Sequence, residues 1–216
     1  MDIFTSIKNE FDILKSKYPK LNLSSEANET FLIAGNIEIV DSNKFVWASY
    51  DIEIKISKYY PLILPTLFEK GGKIENHIDW HVYGDSSCCL GTNAKIYREL
   101  GDNITLENWF DKFAYPFLAN HHYKIETGNY ANGESKHGYA GVLDDYQELF
   151  NLPNHNAVID YLRFVLELKK KSLNQECFCS SGKKFKRCFA LNKKEHYKGV
   201  PKFVLRHDYK NLQAKK

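Results

Sequence analysis

Residues 31–56 read FLIAGNIEIVDSNKFVWASYDIEIKI and carry the clearest structural signal in the chain. Strands are predicted over 31–40 and 45–56, because both runs are rich in β-branched and aromatic residues and a polar turn at 41–44 separates them. In the second strand isoleucines alternate with charged residues, which indicates one buried and one solvated face. A short strand follows at 66–69, so the sequence predicts an antiparallel meander of three strands.

Helical periodicity flanks this meander on both sides. Apolar residues recur at helical spacing in four segments, and each segment therefore predicts an amphipathic helix. These helices lie at residues 2–17, from Thr105 onward, at 139–150 and at 156–171. With the meander they place the chain in the α+β class. Residues 71–104 and 120–137 have no strong period and are predicted to be loops.

Composition limits the class of protein. The chain has 216 residues, of which 43% are hydrophobic and 14% aromatic, enough for a packed core. No apolar run approaches the roughly 20 residues that a membrane helix needs, and the N-terminus has no signal-peptide pattern. Five clustered cysteines do not resemble a secreted disulfide framework, so we expect a cytoplasmic protein with reduced thiols and no membrane partner.

Charge is unevenly distributed along the chain. Residues 1–168 hold 15 Lys and Arg against 24 Asp and Glu, a balance of −9, whereas residues 169–216 hold 15 against 3, a balance of +12. This step predicts a boundary near residue 170. The basic segment is interpreted either as a solvated tail or as a docking element for an acidic surface.

The segment Gly84-Asp85-Ser86-Ser87-Cys88-Cys89-Leu90-Gly91 lies in the first predicted loop. A cysteine in a globular chain is usually a small buried hydrophobe, but a thiol in a glycine-containing loop is also suited to be an exposed nucleophile. In an extended segment the side chains of Cys88 and Cys89 point to opposite faces. We predict Cys89 as the nucleophile, and Cys88 as a helper thiol or as packing.

Several short pieces occur in an order that resembles the ubiquitin-conjugating enzyme family. They are Tyr60-Pro61, Pro65, Phe68, Gly84, Cys89-Leu90 and Trp109. The resemblance covers residues 1–125 and implies a catalytic domain that carries the C-terminus of a ubiquitin-like protein as a cysteine thioester and transfers it to lysine. The doubled cysteine is similar to a bacterial branch of this family in short antiphage (CBASS) operons, which implies a cGAS-like nucleotidyltransferase as the partner that is carried.

The family's His-Pro-Asn triplet is absent, and its role needs another residue. We take His81 as the candidate oxyanion donor, with His77 in reserve, and Asp79 or Asp85 as the base for the incoming lysine. No phosphate-binding loop is visible, so activation of the carboxylate must come from elsewhere or be bypassed by acting on an existing linkage. Two rival interpretations remain: a non-catalytic binding module of the same fold, and a Cys-His hydrolase of such conjugates.

A second cysteine group has the form Cys-x-Cys-x8-Cys, with Cys177, Cys179 and Cys188. It resembles the small zinc motif at the C-terminus of the SecA translocase, which implies a structural Zn²⁺. Gly182 allows a hairpin that brings thiolates from both ends to one metal ion. His196 is the candidate fourth ligand, and a metal-free group of three thiols is the alternative.

These signals divide the chain into three predicted segments: a ubiquitin-conjugating-like domain at 1–125, a helical extension at 126–173, and a zinc hairpin with a basic tail at 174–216. Glu134 and His137, between two glycines, most simply form a turn, although they can also approach the active site. Nucleic-acid binding by residues 169–216 is a further, less favoured alternative, which would be strongly salt-dependent.

Overall fold

The structure is a computed structural model, which describes all residues except 1, 27–29, 132, 134, 135, 137, 167–173, 189–198 and 215–216. It is an α+β protein, as predicted. Its described part divides into two compact units. The first contains residues 1–90 and 103–134, and the second contains residues 91–102 and 135–216.

The sheet of the first unit is an antiparallel meander whose strands are neighbours in chain order. It confirms the predicted meander, with one strand more than expected. The strands are β1 (Leu21–Glu26), β2 (Thr30–Val40), β3 (Val46–Ile56) and β4 (Thr66–Glu69). The prediction missed β1, because this short strand contains two serines and only two apolar residues.

Alternation of side chains fixes the register of the sheet. Ile33 of β2 lies opposite Ile54 of β3, and Ile54 in turn lies opposite Leu67 of β4. All three side chains are fully buried. Each such side chain contributes about 1.5–3 kcal/mol when it leaves water. A slip of one residue would expose this whole row, so the register is strongly specified.

Helix α1 (Ile3–Lys17) precedes the sheet and begins at Asp2, whose carboxylate accepts a hydrogen bond from the Thr5 amide. After the sheet, α3 (Leu106–Trp109) continues through a π-helical turn, Phe110–Ala114, into α4 (Tyr115–Thr127). The π turn has a local cause: Pro116 lacks the N–H that an α-helix needs at that position. Helix α1 packs on β1 and on α3, and α4 packs on β2 and β3.

Two loop predictions were wrong. Residues 71–104 contain a 3-10 turn, Ile78–Trp80, and helix α2 (Asn93–Leu100), which begins at the N-cap Thr92. Residues 120–137 are not a loop throughout, since α4 extends to Thr127 and ends at Gly128 in the left-handed conformation. The predicted segment boundary at residue 125 therefore falls inside α4.

The second unit is helical. Helices α2, α5 (Gly138–Phe150), α6 (His155–Val165) and α7 (Lys202–Ala214) pack together. The expected helix at 156–171 is confirmed over its described part. The sequence analysis identified no helix in the basic tail, which was interpreted as a solvated tail or a docking element. Helix α7 buries Val204, Leu205 and Leu212. No helix among the described residues combines the length and apolar character that crossing a bilayer requires.

Candidate active site

The predicted nucleophile lies on a small hairpin beside β4. Val82 pairs with Cys88 across this hairpin, and the Tyr83 amide donates to the Ser87 carbonyl at 2.9 Å. On its other side the Cys88 amide donates to the carbonyl of Leu67 in β4 at 2.8 Å. The 82–88 hairpin is therefore joined to the sheet, and Cys89 follows directly after its last paired residue.

The Asp85 carboxylate stabilises the turn of this hairpin through hydrogen bonds. It accepts hydrogen bonds from the Ser87 hydroxyl at 2.6 Å and from the Ser87 amide at 3.0 Å. These bonds lower the pKa of Asp85 below its usual value. A carboxylate engaged in this way shapes the loop and is a weak base, so its local role is structural.

Cys88 and Cys89 have different surroundings. Cys88 is 7% exposed, and burial raises the pKa of its thiol to about 12. It therefore remains a neutral thiol near pH 7 and packs as a small apolar group. Cys89 is only partly buried. This difference makes Cys89 the more accessible of the two residues, and its role as the nucleophile stays a prediction.

The Tyr83 hydroxyl donates a hydrogen bond to the Cys89 sulphur at 2.9 Å. Partial burial and this contact raise the pKa of Tyr83 above its usual 10.0, so the phenol keeps its proton at neutral pH and acts as a donor. Sequence analysis missed Tyr83. The available signal was the run Gly84-Asp85-Ser86 directly after it, because these turn-forming residues can close a hairpin that places residues 83 and 89 on neighbouring strands.

The histidine candidates lie in the turn before this hairpin. His81 has a left-handed backbone, with φ 53°, and its carbonyl accepts from the Cys89 amide at 2.7 Å. Its ring meets the ring of Tyr130, with centroids 5.2 Å apart. His77 and Asp79 are exposed and contact each other, with 3.3 Å between the His77 Nδ1 and the Asp79 carboxylate. The backbone thus places His81, rather than His77, directly against Cys89.

Cys177, Cys179 and Cys188 meet in the second unit. All three are buried, and their sulphur atoms lie within 4.8 Å of one another. Thiolates bound tetrahedrally at about 2.3 Å from a zinc ion are about 3.8 Å apart, so the cluster fits one metal ion. A hairpin with Gly182 at φ 69° forms the loop, as predicted, and the 3-10 turn Phe185–Arg187 places Cys188.

The environment of these thiols is unequal. Burial raises the pKa of Cys177 to about 12. Burial also acts on Cys179, but hydrogen bonding with Ser181 and with the neighbouring thiols prevails and lowers its pKa to about 7. Three buried sulphurs can hold a metal ion in this arrangement. The predicted fourth ligand, His196, lies outside the described residues, as do Glu134 and His137.

Comparison with known proteins identifies no relative of this chain. No protein-family model matches it, and neither a curated protein nor a solved structure matches it.

Proposed function

We propose that the first unit is a ubiquitin-conjugating-like domain that carries a protein C-terminus as a Cys89 thioester and transfers it to a lysine. The proposed setting is a bacterial antiphage operon, with a cGAS-like nucleotidyltransferase as the protein that is carried. The order of elements supports this: a helix, an antiparallel meander, a cysteine hairpin and a helix with buried Trp109. The observation that carries the proposal is the Tyr83 hydroxyl on a partly exposed Cys89 sulphur.

In the first step the Cys89 thiolate attacks the carbonyl carbon of an activated C-terminal residue. A carbon–sulphur bond forms, and the activating group leaves with its bonding electron pair. In the second step a lysine amine attacks the thioester, a carbon–nitrogen bond forms, and the thiolate leaves. The proton released by the amine passes to solvent. Sulphur suits both steps because it is a strong nucleophile and a good leaving group.

Tyr83 assists both steps through the same hydrogen bond. A phenol that donates to sulphur stabilises the negative charge that sulphur carries before it attacks and again when it leaves. The ring of His81 is the proposed donor to the tetrahedral oxyanion. The His81 carbonyl accepts from the Cys89 amide, which keeps this residue next to the nucleophile in the folded chain. Cys88 takes no part in this scheme, because it is buried and protonated.

We also propose that the thiols of Cys177, Cys179 and Cys188 hold a structural Zn²⁺. The ion would cross-link a short loop that has little core of its own. No reaction step depends on it.

The test uses the nucleotidyltransferase carrying a C-terminal alkyl thioester, which supplies activation without a separate enzyme. The thioester is mixed with the native chain and with Cys89→Ala and Cys88→Ala variants, and intact masses are measured with and without dithiothreitol. We expect a dithiothreitol-sensitive adduct with the native chain and with Cys88→Ala, and none with Cys89→Ala. Absence of any adduct with the native chain supports a binding module, and release of the free C-terminus supports a hydrolase; either result overturns the proposal.

A further inference from the structure

Two side chains of helix α4 contact the backbone of residues 79–81, the turn that precedes the cysteine hairpin. The Lys124 ammonium donates to the carbonyl of Asp79 at 2.7 Å. The His121 Nε2 lies 2.7 Å from the next carbonyl along the chain, that of Trp80. His121 and Lys124 are one helical turn apart, so they reach two consecutive peptide groups from the same face of α4.

His121 is held firmly in this position. It is 1% exposed, and its Nδ1 lies 2.8 Å from the Phe117 carbonyl while the Tyr130 hydroxyl lies 3.1 Å from its Nε2. Burial lowers its pKa below the usual 6.5, and a neutral ring carries a single N–H. The hydrogen bond to the Trp80 carbonyl therefore requires the tautomer with its proton on Nε2. A buried ring with contacts at both nitrogens has little freedom to rotate, so it is suited to positioning.

The Lys124 ammonium lies between two aromatic rings. It is 4.5 Å from the ring centroid of Trp80 and 4.2 Å from that of Tyr130. Attraction between a cation and aromatic rings strengthens when the cation is withdrawn from water. The side chain is thereby directed at the Asp79 carbonyl.

The turn at residues 79–81 is hydrogen-bonded directly to the residue that carries the proposed nucleophile. His81 follows Trp80 and adopts the left-handed conformation, a strained state that persists only when its surroundings hold it. The His81 carbonyl then accepts from the Cys89 amide at 2.7 Å. Hydrogen bonds thus run from α4 through residues 79–81 to the backbone of the nucleophile.

We infer that His121 and Lys124 are positioning residues for Cys89, acting through the backbone of residues 79–81. Neither needs to touch the substrate. The inference rests on the proposed function, since positioning matters most for a thiol that must meet a carbonyl at a fixed geometry. Loss of either contact frees the turn, and the thiol then spends less time in the orientation that reacts.

The test compares His121→Leu, His121→Gln and Lys124→Met with two controls. His122→Gln changes the neighbouring histidine of the same helix, and Lys8→Met removes an exposed lysine of α1. Hydrogen exchange is measured by mass spectrometry for peptides spanning residues 79–90. Thioester formation is measured with the nucleotidyltransferase thioester, and turnover is measured with the same thioester and free lysine as the acceptor, so that kcat and KM are obtained separately.

We expect His121→Leu and Lys124→Met to raise exchange across residues 79–90 and to lower kcat about tenfold, the effect of losing one or two net hydrogen bonds. KM should stay unchanged. His121→Gln should keep most of the native rate, because the glutamine amide can donate to the Trp80 carbonyl. If His121→Leu loosens the whole first unit, Lys124→Met, whose side chain is only half-buried, decides the matter.

Two results separate this inference from the proposed function. If the native chain forms the thioester but neither variant alters exchange or kcat more than the controls do, the positioning role is wrong and the proposed function stands. If the variants loosen residues 79–90 but the native chain forms no thioester, the contacts hold the turn and the proposed function fails. An equal rise in KM and fall in kcat would point to general loosening and would also overturn the inference.

Discussion

The adjacent residues Cys88 and Cys89 have the same functional group, and the hairpin makes them chemically different. Pairing of Val82 with Cys88 places the Cys88 thiol among buried side chains, while Cys89 follows the last pair and meets the Tyr83 hydroxyl. The sequence predicts opposite faces for the two thiols from the period of an extended chain. It does not predict the tyrosine, because that contact requires the turn to close.

Removing the Tyr83 hydroxyl tests its role. Tyr83→Phe keeps the ring and removes the donor, so we expect thioester formation by Cys89 to slow about tenfold to a hundredfold. The rate of Cys89 alkylation by iodoacetamide, followed by peptide mass spectrometry, should fall as well. Tyr59→Phe, at a tyrosine that is 57% exposed, is the matched control and should change neither rate. Equal rates for Tyr83→Phe and the control would mean that the phenol is not part of the site.

At the scale of single elements, close approach of the backbone at the start of β1 requires glycine at one position of β2. Gly35 of β2 has φ +154°, and a Cβ added there would lie 2.2 Å from the Lys20 carbonyl oxygen. Gly35→Ala should therefore destabilise the chain by about 1–3 kcal/mol through overpacking. Gly84→Ala, where a Cβ meets nothing within 4 Å, is the control for urea denaturation. A native-like midpoint for Gly35→Ala would contradict the packing of this strand.

The contact between α5 and α7 should depend on pH. Asp208 is 7% exposed and accepts from the Tyr146 hydroxyl at 2.8 Å. Burial raises the pKa of Asp208 above its usual 3.8, and the nearby Asp145 adds to this, while the Tyr146 bond and His207 oppose it. The folded state therefore binds more protons than the unfolded chain, and this stabilising contribution is lost as pH rises from about 3.8 through the folded pKa.

Asp208→Asn removes this dependence. The native chain loses stability as pH rises from about 4 to 7, and the variant does not. The free energy of unfolding of the variant should therefore increase relative to that of the native chain over this range. Denaturation followed by circular dichroism across that range measures the difference. Asp102→Asn, at an exposed acid in the same unit, should leave the slope unchanged. If stability depends on pH equally in Asp208→Asn and in the native chain, burial does not raise the pKa of the Asp208 carboxyl.

At the scale of the whole molecule, the proposed chemistry and the cysteine cluster belong to different units. Chelation of the metal should lower the melting temperature of the second unit and leave thioester formation by Cys89 unchanged. Atomic emission should find one zinc ion per chain, lost in Cys179→Ser and kept in Cys88→Ser. If the purified chain holds no metal and added zinc does not raise its melting temperature, the three thiols are not a metal site.

Strong, long patterns allowed much of the fold to be predicted. The alternation in β3 and the apolar face of α1 specify those elements, and both agree with the structure. The Leu21–Glu26 strand and the Asn93–Leu100 helix are short and gain their stability from neighbours, which a local pattern does not reveal. In Lys202–Ala214 helical spacing is present, but the high charge of the segment masked it.

The candidate site could be predicted only in part, for a related reason. Cys89, His81 and the three clustered cysteines are recognisable by residue type and spacing. Tyr83, His121 and Lys124 act through contacts that the folded backbone creates, and the last two come from a helix about 40 residues away along the chain. Such contacts follow from tertiary structure rather than from a motif.

Peptide mapping shows which sulphur carries the acyl group. The native chain is treated with the nucleotidyltransferase thioester, quenched in acid, digested and sequenced by tandem mass spectrometry. We expect the C-terminal remnant on Cys89, with Cys88 unmodified. A remnant on Cys88, or on the cysteines at 177, 179 and 188 alone, would contradict this expectation.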